Sequence, residues 1–510
     1  MVNLRFRGIN LKDSHTFKTI DPYVTVQMLA KGQTQPLGQT EVCRNNQNPE
    51  FQGTVPVEYA FQLSQELVFT VADADNNGKP IGAASCMLSK IITTNGPTVL
   101  QLSDKATSSP AGSLMILYEK DNRSSRTFTV QIGCTKVKDV EIFSKSDPFL
   151  KLFKASNPGS ASMNPLQIPD SDWMLVHETE HKKSNLNPTF QEFNIGSMAL
   201  CQDDPNTPIK FEIWDYNSNK HHTYIGRGFT TVQRIMSGDR EIRTTDKKDD
   251  FSGSIKILQF QEGKTSDMID FVQTGLQINE IMAIDFTASN GSPSSKSSLH
   301  YHDPSGANNQ YQEAIKQVGN IVLEYDTDKT IPVYGFGAQV DGKTTHCFPL
   351  DRNNPAVYGV QGVLAAYKKT LDEVTLSGPT NFAPVINNTK SQVQSLINSG
   401  RMTYFILMII TDGQISDMEK TKEAIVECSE LPMSIIIVGV GDEDFDNMGE
   451  LDGDEGVLKT NSGKTAKRDI VNFVAFNECK GNSHKLAEEV LQGIPAQINK
   501  YFTSMGRPGY

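Results

Sequence analysis

Long apolar runs are missing from this sequence. No stretch reaches the ~18–20 consecutive apolar residues that a membrane-spanning helix requires. The first ten residues, MVNLRFRGIN, contain neither the apolar centre of a signal peptide nor the second-position glycine that N-myristoylation needs. We therefore expect a cytoplasmic protein whose contact with membranes is peripheral.

Cysteines are few and widely spaced: the 510 residues contain seven, and no two of them form a Cys-x-x-Cys pair. An odd number at such spacing argues against a disulfide framework and a zinc module, and it favours a reducing compartment. Common catalytic signatures are also missing, among them the Gly-x-Ser-x-Gly elbow, the phosphate-binding loop, the protein-kinase motifs and His-Glu-x-x-His. We therefore expect no enzymatic activity.

No basic face is apparent either. The net charge is −12, from 48 Lys and Arg against 60 Asp and Glu. Residues 1–120 are neutral (10 basic, 10 acidic), residues 121–262 carry −1 (18 and 19) and residues 263–510 carry −11 (20 and 31). This distribution argues against nucleic acid as a partner. It leaves the two amino-terminal parts free to approach an anionic bilayer.

A repeat occupies the first 262 residues. Each copy contains, in the same order, an Asp-Pro-aromatic strand start, an Asn-Pro turn and an Asp-rich loop that ends in Ile-Gly. These segments are IDPYVTV from Ile20, NPEF from Asn48 and FTVADADNNGKPIG from Phe69, then SDPFLKL from Ser146, NPTF from Asn187 and FEIWDYNSNKHHTYIG from Phe211. Short alternating strands surround them. The pattern predicts two β-sandwich domains, residues 1–120 and 125–262.

Residues 276–505 alternate between strand and helix patterns. Apolar runs predict strands at Ile278–Asp285, Ile331–Phe336, Tyr404–Thr411 and Met433–Val440. Helical stretches are expected at Gln310–Tyr325, Val360–Leu371, Met418–Ser429 and Lys485–Phe502. Alternation of this kind predicts a doubly wound, Rossmann-like α/β domain with a parallel sheet and helices on both faces.

Polar side chains follow two of the predicted strands and also lie on one turn between them. Asp285, Thr287 and Ser289 follow the first strand, Thr380 lies on a later turn, and Asp412 follows the strand that ends at Thr411. Ligands of an open α/β sheet bind beyond the carboxyl ends of its strands, so we expect the five to converge. Their oxygens suit Mg²⁺ or Mn²⁺ rather than Zn²⁺. Either aspartate alone is compatible with an ordinary strand-end cap, whereas the joint pattern favours a metal site.

This pattern of five residues resembles the metal-ion-dependent adhesion site of von Willebrand factor A domains. The resemblance implies that the hydroxyls bind the metal directly and that the two aspartates act largely through water. It also implies an open position for a carboxylate of a protein partner. The order of two β-sandwiches and one such domain, with the stretches IDFTASNG, GPTNFAP and LPMSIIIVGVG, resembles the copine family.

Both repeat copies resemble C2 domains, whose loops supply carboxylates to Ca²⁺ ions that bridge to phospholipid. In the first copy the resemblance implies calcium ligands at Asp21, Asp73 and Asp75. His15 occupies a fourth ligand position, where Asp13 is the nearest carboxylate, and Lys79 occupies the fifth. We therefore expect at most one ion in this copy, because a lysine ammonium would repel it.

The second copy departs further from the C2 pattern. Asp147 and Asp215 match, Asn217 and Glu141 stand at two other ligand positions, and Thr223 occupies the last. Asp139 is another carboxylate nearby. The alternative interpretation for both copies is that these polar residues only form turns, as Asp and Asn commonly do.

These expectations describe a calcium-dependent, phospholipid-binding peripheral membrane adaptor. Its C2 copies would bind anionic membranes, and its A domain would bind intracellular proteins through an acidic residue. It would move from the cytoplasm to the cytosolic face of the plasma membrane or endomembranes when calcium rises. The missing calcium ligands leave an alternative open, a calcium-independent protein-interaction scaffold with degenerate C2 sites.

Overall fold

The computed structural model of the chain describes residues 1–13, 19–30, 33–104, 106–121, 126–141, 144–156, 163–217, 222–264, 266–397, 402–443, 445–452, 458–479 and 483–506. The chain forms two compact units, residues 1–120 with 266–510 and residues 121–265. Within the described ranges, no helix is both long and apolar enough to cross a membrane. His15 lies outside these ranges.

The first β-sandwich consists of eight strands and a short helix. The strands are β1 (Val2–Ile9), β2 (Pro22–Ala30), β3 (Gln33–Gln39), β4 (Val55–Val57), β5 (Glu66–Asp73), β6 (Lys79–Met87), β7 (Thr98–Ser103) and β8 (Pro110–Lys120), and the helix is α1 (Leu88–Thr93). They pair in the order β3-β2-β5-β6-β7-β8-β1-β4. A single residue pair, Ala83 with Ser103, joins β6 to β7. Four strands therefore lie on each side of this narrow junction, and their inward-facing residues form the core between the layers.

The second β-sandwich repeats this plan. Its strands are β9 (Arg126–Thr135), β10 (Pro148–Ala155), β11 (Trp173–Glu178), β12 (Phe193–Gly196), β13 (Ile209–Asp215), β14 (Thr223–Thr230), β15 (Glu241–Thr245) and β16 (Phe251–Lys264), with short helices α2 (Ser197–Cys201) and α3 (Val232–Met236). The order is β11-β10-β13-β14-β15-β16-β9-β12, and again a single pair, Arg227 with Thr245, joins the two halves. The prediction of two β-sandwiches is confirmed.

The remaining residues form an α/β domain. Its strands are β17 (Gln277–Asp285), β18 (Thr330–Phe336), β19 (Ala338–Val340), β20 (Lys343–Thr345), β21 (Phe348–Pro349), β22 (Ala356–Tyr358), β23 (Thr375–Leu376), β24 (Thr403–Thr411), β25 (Met433–Gly439) and β26 (Val471–Ala475). Its helices are α4 (Met268–Gln273), α5 (Gln310–Leu323), α6 (Gly359–Glu373), α7 (Ala383–Ile397), α8 (Met418–Cys428), α9 (Asp446–Gly449), α10 (Ser483–Leu491) and α11 (Ile494–Ser504).

The central sheet has the order β21-β18-β17-β24-β25-β26. Five of these strands, β18, β17, β24, β25 and β26, run parallel. Alternate residues of β17 face opposite ways. Met282 packs among residues of α5, α6, α10 and α11, whereas Ala283 packs among residues of α7 and α8. The predicted parallel sheet with helices on both faces is confirmed. Because the chain goes from β17 to β18 on one side and returns to β24 on the other, the order reverses between β17 and β24, where such sheets bind ligands.

One predicted helix is wrong. Residues Lys485–Phe502 form two helices, α10 and α11, rather than one. Gly493 precedes α11 and Pro495 lies in its first turn. A proline there lacks the N–H that a continuous helix would use, so the chain stops one helix and starts another. The predicted domain boundaries, 1–120, 125–262 and 276–505, stay a prediction.

Candidate metal centre and calcium loops

β17 ends at Asp285, and the loop after it folds back over the end of the strand. The backbone N–H of Thr287 donates to Asp285 Oδ1 at 2.8 Å, and the Thr287 hydroxyl lies 2.9 Å from the Ser289 hydroxyl. Asp285 and Thr287 are buried, whereas Ser289 is exposed. The loop therefore presents one carboxylate and two hydroxyls in order from the sheet edge to the surface.

β24, the parallel neighbour of β17, brings a second carboxylate to this loop. Asp412 Oδ1 accepts hydrogen bonds from the Ser289 hydroxyl at 3.0 Å and from the Thr287 hydroxyl at 3.4 Å. The hydroxyl of Thr411, the last residue of β24, donates to Oδ2 of Asp285 at the end of β17 at 2.6 Å. The two strand ends are thus joined by side-chain hydrogen bonds that run through both carboxylates.

Thr380 reaches the same place from the loop between β23 and α7. Its carbonyl accepts a hydrogen bond from the Ser416 N–H at 2.8 Å. A methyl group placed on Gly413 would lie 4.0 Å from Thr380 Oγ1 and 4.0 Å from Ser289 Oγ, so both hydroxyls lie beside Gly413. The structure therefore brings all five predicted residues to one edge of the sheet.

The electrostatics of this cluster favour a cation. Burial raises the pKa of Asp285 to about 7, with a further increase from the neighbouring Asp412 carboxylate and an opposing effect of the Thr411 and Thr287 hydrogen bonds. Burial also raises the pKa of Asp412. Among the described residues, no positively charged side chain is a main influence on either group. Two adjacent buried carboxylates without a counter-ion are costly, so a bound cation would stabilise them.

The donor set fits a hard divalent ion. Two carboxylates and the hydroxyls of Thr287, Ser289 and Thr380 are all oxygen ligands, which suit Mg²⁺ or Mn²⁺. Such an ion would supply a positive charge at the sheet edge. The residues of this chain would position it and leave Ser289 on the solvent side, and both aspartates would be ionised in its presence.

Several supporting residues were not anticipated from the sequence. The Thr411 hydroxyl donates to Asp285. Thr411 directly precedes Asp412, and this position next to a predicted ligand was the one sequence feature that could have identified it. Asn290 donates to the Thr287 carbonyl at 3.3 Å and accepts from the Tyr311 hydroxyl at 2.7 Å. No sequence pattern indicated that contact, because Tyr311 lies on α5, beyond a long loop.

Gly337 shapes the site from β18. Its φ is +78°, and a methyl group added there would lie 2.3 Å from the Thr287 Cγ2 atom. Both features require glycine, since other residues are strained at this φ and any side chain would displace Thr287. The Gly337 carbonyl also accepts the Ser377 N–H at 3.0 Å, and the Ser377 carbonyl accepts the Ala288 N–H at 2.7 Å. The metal loop is therefore clamped between Gly337 and Ser377.

The first C2 domain brings two of its predicted calcium ligands together. Asp73 Oδ1 accepts the Asp21 N–H at 3.0 Å and the Asp75 N–H at 3.3 Å, and Asp21 Oδ1 accepts the Asn45 N–H at 2.7 Å. Asp73 is buried and Asp75 is exposed. The backbone donors help keep Asp21 and Asp73 in place at one end of the sandwich.

Asp13 and Lys79 complete the surroundings of this loop. Asp13 Oδ2 accepts a hydrogen bond from the Gln47 side chain at 3.1 Å, on the same connecting loop that holds Asp21 through Asn45. Lys79 is exposed and pairs with Asp73 across β5 and β6. Its ammonium is therefore free to turn into solvent, which reduces the repulsion expected from the sequence.

The second C2 domain repeats the backbone contacts of the first. Asp215 Oδ1 accepts the Asp147 N–H at 2.6 Å, and Asp147 Oδ1 accepts the Ser184 N–H at 2.7 Å. The Asn217 side-chain NH₂ donates to the Thr223 hydroxyl at 3.3 Å. The repeat found in the sequence thus extends to matching hydrogen bonds at both predicted sites.

Asp139 and Glu141 differ in their placement. Asp139 Oδ1 accepts both the N–H and the hydroxyl of Ser146, at 3.1 and 3.2 Å, so this carboxylate is occupied within its own loop. Glu141, Asp147 and Asp215 line a cavity of about 360 Å³. Burial raises the pKa of Asp215 to about 6, and the Glu141 and Asp147 carboxylates add to the increase. The cavity therefore places these three carboxylates beside two lysines, Lys145 and Lys183, which also line it.

Within the described residues, neither C2 site forms a complete calcium cage. Among the residues that the structure describes, no group of three or more His, Cys, Asp or Glu side chains is arranged to hold a metal. The A-domain site differs in kind, because three of its five oxygen donors are hydroxyls.

The family model described as C2 domain matches residues 4–102 and 126–247, and the one described as Copine matches residues 298–507. Solved structures with partial likeness include BON1-C2B, which is 20% identical, covers 28% of this chain and 95% of that chain, and has a TM-score of 0.22.

Two other solved structures also match part of the chain. The calcium-bound pair of C2 domains of Extended-Synaptotagmin 2 is 11% identical, with coverage of 51% and 97% and a TM-score of 0.21. The manganese-loaded TRAP protein of Plasmodium vivax is 15% identical, with coverage of 40% and 70% and a TM-score of 0.26. At these TM-scores the likenesses carry no argument about the function of this chain.

Proposed function

The chain belongs to the copine family, with two C2 domains followed by a copine domain, and from this premise we propose a specific role for it. C2 and copine domains are typically non-catalytic modules, and the family supports an adaptor role at membranes. We propose that this protein binds anionic phospholipid when calcium rises and recruits protein partners through a divalent metal in its A domain. It performs no chemistry on either ligand.

The observation that carries this proposal is the convergence at the end of β17 and β24. A cluster of two buried carboxylates and three hydroxyls, with no cationic side chain paired to it among the described residues, supports a metal site with positive character. Ser289 is exposed, so an ion held there faces solvent on one side. A carboxylate of a partner protein is the ligand that such an ion attracts most strongly. Acidic side chains of intracellular proteins are therefore the proposed target.

The membrane contact is assigned to the C2 loops, mainly those of the first domain. Asp21, Asp73 and Asp75 lie at one end of that sandwich, and the domain as a whole is neutral (10 basic and 10 acidic residues). A calcium ion bound there would turn this end positive and attract phosphatidylserine headgroups. Under this proposal the protein is cytoplasmic at low calcium. It moves to the cytosolic face of the plasma membrane or endomembranes when calcium rises.

Sedimentation with phosphatidylserine-containing liposomes across a calcium series tests the membrane part. Changing both Asp73 and Asp75 to Asn removes two charges from the loop and should raise the calcium requirement at least ~10-fold. Glu119→Gln is the matched control, because Glu119 is an exposed carboxylate on β8 of the same domain, paired with Arg5. Equal calcium requirements for the double variant and the control would contradict the proposal.

A second function, a calcium-independent scaffold, is favoured by one observation. Lys79 and Thr223 stand at ligand positions of the two loops, and neither C2 site within the described residues is complete. If the liposomes sediment equal amounts of protein with calcium and with a chelator, the scaffold replaces the calcium-dependent adaptor.

A further inference from the structure

We propose that the first C2 domain and the A domain form one rigid body through a permanent seam, and that the second C2 domain is an insertion into that body. The seam comprises α1 and Tyr59–Phe61 on the C2 side and α4 and Glu324–Tyr325 on the A-domain side, together with the Lys120 ion pairs. Its consequence is that the first calcium loop and the A-domain metal loops move together.

The seam has a continuous apolar centre. Buried residues of α1 and α4 belong to a single hydrophobic cluster that extends through the core of the first C2 domain and one face of the A-domain sheet. Phe61 packs against Tyr325 with ring centroids 4.7 Å apart, and the Tyr59 and Tyr325 hydroxyls are 2.6 Å apart. Surfaces that meet in this way resemble a domain core rather than a transient contact between domains.

An ion-pair cluster around the buried Lys120 reinforces one edge of the seam. The side chain of Lys120, the last residue of β8, is only 5% exposed, and its Nζ lies 3.0 Å from Asp267 and 2.5 Å from Asp270. The same two aspartates form the capping box of α4, with Asp267 accepting the Asp270 N–H at 3.3 Å. Lys120 therefore fixes the start of α4 against the end of the first C2 domain.

The chain connections agree with an insertion. Lys120 is the last residue before the joining segment 121–125, and Asp267 follows shortly after residue 265, so both ends of the outer body meet at one ion pair. Within the other unit, Arg126 pairs with Lys264 across β9 and β16, and Arg126 bonds Glu262 at 2.7 Å. Each unit thus brings its two ends together on its own. The outer body does not need the second C2 domain to close it.

The seam leaves both candidate sites uncovered. In β5 and β6, the pair Glu66–Met87 lies at the α1 end, whereas the pair Asp73–Lys79 lies at the calcium loop, about 20 Å further along the strand. In the A domain, Tyr325 contacts the amino-terminal end of β17 through its carbonyl and the Ile278 N–H. The metal loops follow the opposite end of β17. Membrane attachment by the first C2 domain would therefore fix the orientation of the metal site.

Cleavage of the full chain tests the seam without calcium or lipid, so its outcome is independent of the proposed function. A recognition sequence for a specific protease is inserted in 121–125 and a second at 265, and the protein is cleaved after folding. Size-exclusion chromatography and native mass spectrometry should show residues 1–120 bound one-to-one to residues 266–510. Dissociation of the two outer fragments would overturn the proposal.

Charge reversal provides the matched pair of variants. Lys120→Glu places a third carboxylate beside Asp267 and Asp270 and should raise the dissociation constant of the outer fragments at least ~100-fold. Arg5→Glu makes the same charge change beside Glu119 on the exposed surface of the same domain and should leave it unchanged. Equal dissociation constants for the two variants would contradict the seam.

Hydrogen exchange of the uncut chain keeps the inference testable if Lys120→Glu fails to fold. Amides of α1 and α4 should open with the same free energy, because one seam protects both. Tyr325→Ala should then accelerate exchange in α1 as well as in α4, although α1 is more than two hundred residues away in the chain. Acceleration confined to the A domain would overturn the rigid body.

Discussion

Glu280 gives the protein a specific dependence of stability on pH. It lies in the middle of β17, is fully buried, and neither of its carboxylate oxygens has a hydrogen-bond partner among the described residues. Burial raises the pKa of Glu280 to about 8, and the nearby Asp326 carboxylate adds to the increase. At neutral pH the folded protein therefore keeps this side chain protonated.

The sign of the effect follows from the two pKa values. An unfolded glutamate loses its proton near its ordinary pKa of 4.5, whereas the folded one keeps it up to about pH 8. Because the unfolded state releases the proton first, stability falls as pH rises between these values, and it levels off above about pH 8. Each pH unit in this window lowers the free energy of unfolding by about 1.4 kcal/mol. From about pH 5.5 to pH 8 the loss is about 3 kcal/mol.

Glu280→Gln removes the titration and preserves the shape of the side chain. We expect the wild type to lose about 3 kcal/mol more than the variant between about pH 5.5 and pH 8. Burying the glutamine amide has a cost that does not depend on pH. It changes the free energy of unfolding of the variant equally at both pH values and therefore does not affect this difference. Asp326 and Asp285 also have raised pKa values, but they are present in both proteins.

Urea unfolding followed by far-UV circular dichroism measures this difference, since most helices belong to the A domain. The chain provides its own control: its only two tryptophans, Trp173 and Trp214, lie in the second C2 domain. The transition seen by tryptophan fluorescence should be the same in both proteins at each pH. Parallel pH profiles of the circular-dichroism transition in wild type and Glu280→Gln would refute the reasoning.

Three further predictions concern the metal loops and their support. Gly337→Ala should lower Mn²⁺ affinity at least ~10-fold in a calorimetric titration, because the added methyl displaces Thr287. Gly342→Ala is the control and should not lower it, because Gly342 also has a positive φ but an added methyl there would have nothing within 4 Å. Asn290→Ala leaves the buried Tyr311 hydroxyl without its hydrogen-bond partner and should lower the free energy of unfolding by about 1–3 kcal/mol in urea titrations. The hydrogen bond of Asn308 to Glu313 is exposed, so an equal loss in Asn308→Ala would contradict this. Partner association rates, measured by stopped flow across a salt series, should change only modestly, because capture depends on contact at the metal, and a steep salt dependence would contradict that.

The sequence predicted most accurately what depends on local periodicity. Ile278–Asp285 differs from β17 by one residue at its start, and Tyr404–Thr411 differs from β24 in the same way, because apolar runs between polar ends define buried strands. The carboxyl ends of parallel neighbours meet at one edge, so the convergence of Asp285 and Asp412 followed from the strand order expected of an α/β sheet. Their ligand roles stay a prediction.

Contacts between distant segments could not be predicted in this way. Tyr59 and Tyr325 carry no pattern that links them, and their hydroxyl contact depends on how two finished domains meet. The break at Gly493 was missed because the apolar spacing continues across it, although Pro495 was a visible signal. Asp139 was proposed for calcium from its place in the chain alone. The folded loop shows that its carboxylate instead accepts a hydrogen bond from the Ser146 N–H.

Mn²⁺ binding to the full chain, measured with the calcium sites saturated, tests the proposed metal centre most directly. The wild type and Asp303→Ala, which alters an exposed aspartate further along the chain, should each bind one Mn²⁺ at the A domain. Asp285→Ala should bind none there while keeping its circular dichroism and its calcium-dependent sedimentation with liposomes. Unchanged Mn²⁺ stoichiometry and affinity in Asp285→Ala would contradict the assignment of the site.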